Sequence, residues 1–195
     1  MAELTIYGDS GSGNCLKIGY VATQLGIAFD WVEITVLEGA ARTGRFLAIN
    51  PAGQVPVVIL GDGRVLAQSA AIMLYLAEGS ALVPDDRYDR AVMYQWMFWE
   101  QYSHETAIAV RRYKKHFLHM AEDAIDPALL IRGNAALAVM DQHLESHAFF
   151  AGGALSLADI ALVAYTRLAH EGGFDLAPFA KVVAWVARVE AALGL

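Results

Sequence analysis

The chain has 195 residues, 56% of them hydrophobic and 18% charged, and a formal net charge of −7. That size and composition suit one large or two small folded domains and exclude a disordered chain. The acidic balance excludes the basic face that nucleic acid requires, and no uninterrupted apolar run approaches the length of a membrane span.

The N-terminus runs straight into a strand pattern with no basic region or apolar core of a signal peptide. Cys15 is the only cysteine, so no internal disulfide can form and a reducing compartment fits. These features predict a soluble, cytoplasmic protein.

In chain order, Leu4–Tyr7 reads as a buried strand, 8–13 as a Gly/Ser loop, and Asn14–Leu25 as a helix ended by Gly26. Phe29–Val36 is strand-like, rich in β-branched and aromatic residues. Thr43–Ile49 suggests a short helix. Pro56 lacks a ladder donor and so belongs at the start of the strand 55–60. Gly61-Asp62-Gly63 is a tight turn, 64–67 the return strand, and Gln68-Ser69 the head of a helix over 70–78. The order βαβ then αββα predicts a thioredoxin-like domain over 1–79.

Beyond a connector at 80–85 everything reads helical, so 86–195 forms an all-helical domain. The segments are 87–119 (one long helix, with room for a kink), 127–147 with Pro127 at the first helical position, 156–170 and 178–193. Ser156 and Asp159 form a capping-box variant, with Leu155 and Ile160 as its hydrophobic staple, so this motif serves folding. The basic run Arg111-Arg112-Tyr113-Lys114-Lys115 reads as a solvated helix face.

Two features stand ready for a ligand. The backbone of Val55, ahead of Pro56, can accept an extended peptide like an added strand, and the polar helix start at Gln68-Ser69 can accept a carboxylate. In the order Gln54-Val55-Pro56 then Gln68-Ser69, the sequence resembles a glutathione S-transferase over essentially its whole length. The resemblance implies a cis proline, a Val55 backbone that holds the cysteinyl part of glutathione, and a Gln68-Ser69 pair that holds its γ-glutamyl carboxylate. It adds Gln54, Asn14 and Arg42 as further glutathione contacts. Ser12-Gly13-Asn14 is similar to the Ser-Gly-Asn signature of bacterial, theta-like members, whose serine donates to the glutathione thiolate.

Ser12 is therefore the first catalytic candidate. A plain helix cap by Ser12 or Asn14 is the competing reading. Cys15, near a helix start, is a second candidate, as a nucleophile forming a mixed disulfide, although a small buried apolar role suits it better. Ser10 is a third, and Tyr7 a lesser one set far back on its strand. The resemblance also implies a small apolar electrophile held between the domains against Tyr102, Thr106, Val110 and Tyr113, a stripe at helical spacing that also suits a core. It implies a homodimer packed through the apolar band at Met93, Trp96 and Met97, with Glu100 reaching the glutathione of the partner subunit.

Three motifs fail on inspection. The Gly8 to Gly13 loop lacks the lysine of a P-loop, and its glycines lack the third member of a dinucleotide fingerprint. His143 and His147 share a helix face but have no third ligand, so no metal is expected. Three activities are thus open: glutathione conjugation, Cys15-dependent disulfide reduction, or ligand binding without turnover.

Overall fold

The computed structural model describes residues 4–195. Residues 1–3, which the sequence reading assigns to the first domain, lie outside the described residues. The chain divides into two compact units, the first ending at Ser80 and the second running Ala81–Leu195.

In the first unit, β1 (Leu4–Gly8), β2 (Phe29–Glu33), β3 (Val57–Leu60) and β4 (Val65–Ala67) form one sheet in the order β2-β1-β3-β4. β1 pairs parallel with β2 and antiparallel with β3, which pairs antiparallel with β4. Helices α1 (Gly13–Gln24) and α3 (Ser69–Ala77) pack on each other, and α1 also packs on β1. The strand alternation decides what faces them. Leu4, Ile6 and Gly8 are buried on one face, while Tyr7 turns to the other and packs on Ile34, Ala41, Phe46 and Val57. Phe46 comes from the short α2 (Gly44–Leu47), where the Thr43 side chain accepts from the Phe46 N–H at 3.4 Å. This is the thioredoxin-like arrangement expected from the strand and helix order.

β2 stops at Glu33, short of the expected Val36, for a tertiary reason. The Val36 N–H is taken by the Asp9 carboxylate at 3.0 Å, and Val36–Glu38 winds into a 3-10 turn.

The second unit is helical: α4 (Arg87–Trp99), α5 (Glu105–Arg112), α6 (Pro127–His143), α7 (Leu157–Thr166) and α8 (Ala180–Leu193). The long helix expected over 87–119 is a continuous run to Phe117, interrupted by π-helical turns at Glu100–His104 and Tyr113–Phe117. Asp86 caps its start, accepting from the Tyr88 and Asp89 N–H groups, and Asp126 caps α6 ahead of Pro127.

Every residue of α7 is buried. Its Asp159 carboxylate accepts from Ser156 N–H and Oγ at 3.0 and 2.8 Å, and also from Phe150 N–H at 3.0 Å and Trp185 Nε1 at 2.9 Å. One carboxylate thus ties the helix start to the preceding loop and to α8.

Two expectations are corrected here. Arg111 and Arg112 are not on a solvated face. They are 1% and 5% exposed, paired with Glu122 and Glu171, and Arg111 Nε also donates to the Gly172 carbonyl at 2.8 Å. The helix period turns these two inward while Tyr113 stays outside. Met93, Trp96 and Met97 are also buried within the chain, Trp96 lying edge-on to Trp99, His143 and Phe150. They form core, not a free face for a second subunit. Among the described residues, no helix is long and apolar enough to cross a membrane.

Candidate functional site

The first unit gathers most of the predicted site residues at the starts of α1 and α3 and in the loop before β3. Asn50, 9% exposed, builds that loop. Its Nδ2 donates to the Gln54 carbonyl at 2.8 Å, and its Oδ1 accepts from Ala52 N–H at 3.2 Å. The Asn50 carbonyl accepts from Gly53 N–H at 2.9 Å.

Gly53 has φ +60, and a Cβ there would lie 2.6 Å from Arg42 Nη1. The glycine therefore lets the Arg42 guanidinium reach the Ala52 carbonyl, at 3.2 Å. The Val55–Pro56 bond is cis. Val55 precedes the ladder, which opens at the Tyr7↔Val57 pair, so its backbone amide groups are not taken up by the sheet. Its side chain packs on the same cluster as Ala67, which brings this loop beside the start of α3.

Gln68 occupies the position before α3 with φ 73 and ψ 116, a backbone state unusual for a residue with a Cβ. Such states cost about 1–3 kcal/mol and gather at ligand sites. Its exposed side chain does not cap the helix. Ser69 follows, and its Oγ donates to Asn14 Oδ1 at 3.1 Å. That bond joins the starts of α1 and α3 and so brings the Ser-Gly-Asn and Gln-Ser segments together.

The loop between β1 and α1 is fastened by two carboxylates. Asp9 accepts from Gly11 N–H at 2.9 Å as well as from Val36. Glu33 accepts from both Ser10 N–H (2.8 Å) and Ser10 Oγ (3.1 Å), and from Trp31 Nε1 at 2.7 Å. Against a desolvation that raises it, the hydrogen bonds from Ser10 and Trp31 hold the Glu33 carboxyl below the usual range. The Ser10 hydroxyl is thereby committed to Glu33.

Ser12 sits in the N-cap position of α1 with extended backbone, yet its side chain makes no capping bond. Its hydroxyl instead meets the Cys15 thiol. Burial pushes that thiol up to about 11, in spite of hydrogen bonds from the Ser12 side chain and the Asp9 backbone. Cys15 has no exposed surface. A protonated, enclosed thiol is a poor nucleophile.

Native Cys15 should therefore resist iodoacetamide at neutral pH and react only after unfolding, which mass spectrometry of the alkylated protein checks. The same shift carries a sign. The native thiol keeps its proton where the unfolded one has lost it, so stability should fall as pH rises from about 8.5 through about 11.

In the second unit, Tyr102, Thr106, Val110 and Tyr113 do share one helix face. They are not core: Tyr102 is 85%, Tyr113 42% and Val110 38% exposed, and Thr106 is exposed as well. Glu100, at the first π turn, is 1% exposed and accepts from Gln101 Nε2 at 2.8 Å. Its carboxylate is enclosed within its own chain. His143 and His147 stack at 4.2 Å, with His147 Nδ1 against Ser146 Oγ and the His143 carbonyl. Among the described residues no group of three or more His, Cys, Asp or Glu is placed to hold a metal ion.

Asn50 and Lys17 stand beside these residues without having been expected there: Lys17 Nζ donates to Asn14 Oδ1 at 2.8 Å, although its place in the sequence is that of an ordinary helix-surface lysine.

A thioredoxin-like sheet with a cis-proline loop beside two helix starts, followed by an all-helical unit, defines a two-unit class of protein. Residues 11–78 match the model of the glutathione S-transferase N-terminal domain, and residues 102–192 that of the C-terminal domain. The chain is 44% identical to a glutathione S-transferase from Xanthobacter autotrophicus Py2, with a TM-score of 0.91 over 96% of this chain and 93% of that one. Against a glutathione S-transferase from Pseudomonas fluorescens, identity is 41% and the TM-score 0.94, over 97% and 96% of the two chains. It is also 29% identical over 192 residues to glutathione S-transferase D7 of Drosophila melanogaster, covering 95% of this chain and 84% of that protein. The chain belongs to the glutathione S-transferase family and is a transferase.

Proposed function

We infer that the protein binds glutathione on its first unit and conjugates the thiolate to a small apolar electrophile. The observation that carries this reading is the state of three neighbouring side chains. Ser10 is committed to Glu33, Cys15 is buried and protonated at neutral pH, and the hydroxyl of Ser12 at the start of α1 is not used as a cap. The Ser12 hydroxyl lies against the Cys15 thiol, and as a rotor it is able to turn its hydrogen to an incoming sulfur. A hydroxyl donor at a helix N-terminus favours the thiolate over the thiol, and no covalent enzyme intermediate is required. The oxidoreductase alternative needs the reverse, an accessible Cys15 thiolate.

The cysteinyl backbone of glutathione lies along Val55, and its γ-glutamyl carboxylate meets Gln68 and Ser69 at the start of α3, with Gln54, Asn14 and Arg42 around it. The exposed stripe Tyr102, Thr106, Val110 and Tyr113 supplies the apolar wall for the electrophile. The homodimer rests on the family resemblance, the cytoplasmic location on the single cysteine, which fits a reducing compartment, and detoxification is the role such conjugation would serve.

Ser69→Ala should weaken glutathione binding by about 1–3 kcal/mol, since it takes a hydrogen-bond partner from a charged carboxylate. Gln68→Ala should act in the same direction. Titration calorimetry that shows unchanged affinity in both variants would remove glutathione from this position.

A further inference from the structure

Lys17 has no exposed surface, although lysine is among the side chains least often fully buried. It lies three residues beyond Asn14 on α1, so helix geometry sets the two side chains on neighbouring positions. Its Nζ donates to Asn14 Oδ1 at 2.8 Å, and Ser69 Oγ donates to the same oxygen at 3.1 Å. An ammonium carries donors only. The carboxamide oxygen must therefore be the atom that faces Lys17, which fixes the amide of Asn14 and makes Ser69 the donor to it.

We propose that Lys17 is a positioning residue for the carboxylate end of glutathione. Its buried ammonium holds the Asn14 carboxamide, the carboxamide holds the Ser69 oxygen, and through that chain a positive potential reaches the ligand. This rests on the placement of the γ-glutamyl carboxylate at Ser69 given above. Because Lys17 is out of bulk water, its field is screened less than that of a surface lysine. When a carboxylate arrives, the Ser69 hydroxyl turns its hydrogen to it and gives up the bond to Asn14, while Lys17 keeps the carboxamide, and its own positive charge, beside the site. Lys17 itself does not touch the ligand, so its removal should act on binding and spare the chemical step.

The test is a double-mutant cycle read by steady-state kinetics and calorimetry. Lys17→Met should raise the KM and Kd for glutathione by about tenfold and leave kcat at saturating glutathione within about threefold. In a Ser69→Ala background the same substitution should lose most of its effect, because the chain is already broken. Three results overturn the proposal: a folded Lys17→Met protein with wild-type KM, a collapse of kcat in place of a rise in KM, or equal losses in both backgrounds. If Lys17→Met does not fold, Asn14→Ala takes its place in the cycle. Losses that fail to add with Ser69→Ala then support the chain, and additive losses overturn it. Failure of the binding placement itself looks different, because Ser69→Ala alone would then leave glutathione affinity unchanged.

Discussion

Ser12→Ala is expected to slow conjugation of glutathione to a chloronitrobenzene by roughly tenfold to a hundredfold at neutral pH, the worth of one charge-assisted hydrogen bond of about 1.5–3 kcal/mol. The pH–rate profile should shift upward with it, since the bound thiol loses a donor that favours its ionised form. Glutathione affinity should move much less, because Val55, Gln68 and Ser69 remain. Cys15→Ala is the companion measurement. Its thiol is enclosed and pushed up to about 11, so it has little thiolate to offer. Removing it should change conjugation by less than about threefold and cost about 1 kcal/mol of packing. The disulfide-reductase reading predicts the opposite pair of results, assayed with a glutathionylated disulfide. Conjugation that survives Ser12→Ala and vanishes with Cys15→Ala would transfer the catalytic role to the cysteine. A wild-type protein that binds glutathione and turns over neither substrate would leave a binding module.

Asp159→Ala should destabilise the protein by about 3–5 kcal/mol, several times the worth of a helix cap. The carboxylate accepts from four donors: Ser156 N–H, Ser156 Oγ, Phe150 N–H and Trp185 Nε1. Asp159 has no exposed surface, so water does not replace the lost acceptor. Asp159→Asn should lose less, because the amide keeps one acceptor oxygen, yet still turn an N–H toward donors. Urea unfolding measures both. A shift in the alanine variant no larger than about 1 kcal/mol would mean that the residue acts as a cap alone. Glutathione affinity of the folded fraction should be unchanged, since every partner of Asp159 lies in the second unit.

What the sequence alone determined is local chemistry. Pro56 marks the start of β3 because it lacks a donor, Gly63 closes the hairpin turn, and Pro127 opens α6. Gln54-Val55-Pro56 and Gln68-Ser69 carry the family resemblance, and with it the fold and the expected ligand. These signals act through φ, ψ and neighbours a few residues away, which a single chain displays in full.

The tertiary structure decided whatever depends on a partner distant in sequence. β2 ends at Glu33 because Asp9 claims the Val36 N–H. α8 begins at Ala180, not Pro178, where Asp141 on α6 accepts from the Lys181 and Val182 N–H groups. Under the proposed reading of the three candidates, Ser10 is engaged by Glu33 and Cys15 is buried, and neither circumstance could be read from a Gly/Ser loop. The helix period alone placed Tyr102, Thr106, Val110 and Tyr113 on one stripe. It could not say that this stripe is exposed while Met93, Trp96 and Met97 are enclosed, because periodicity shows which residues share a face and not what that face meets. Lys17 is the sharpest case: its sequence position is that of any helix lysine, yet it is fully buried, and the approach of α3 to α1 sets Asn14 between it and Ser69.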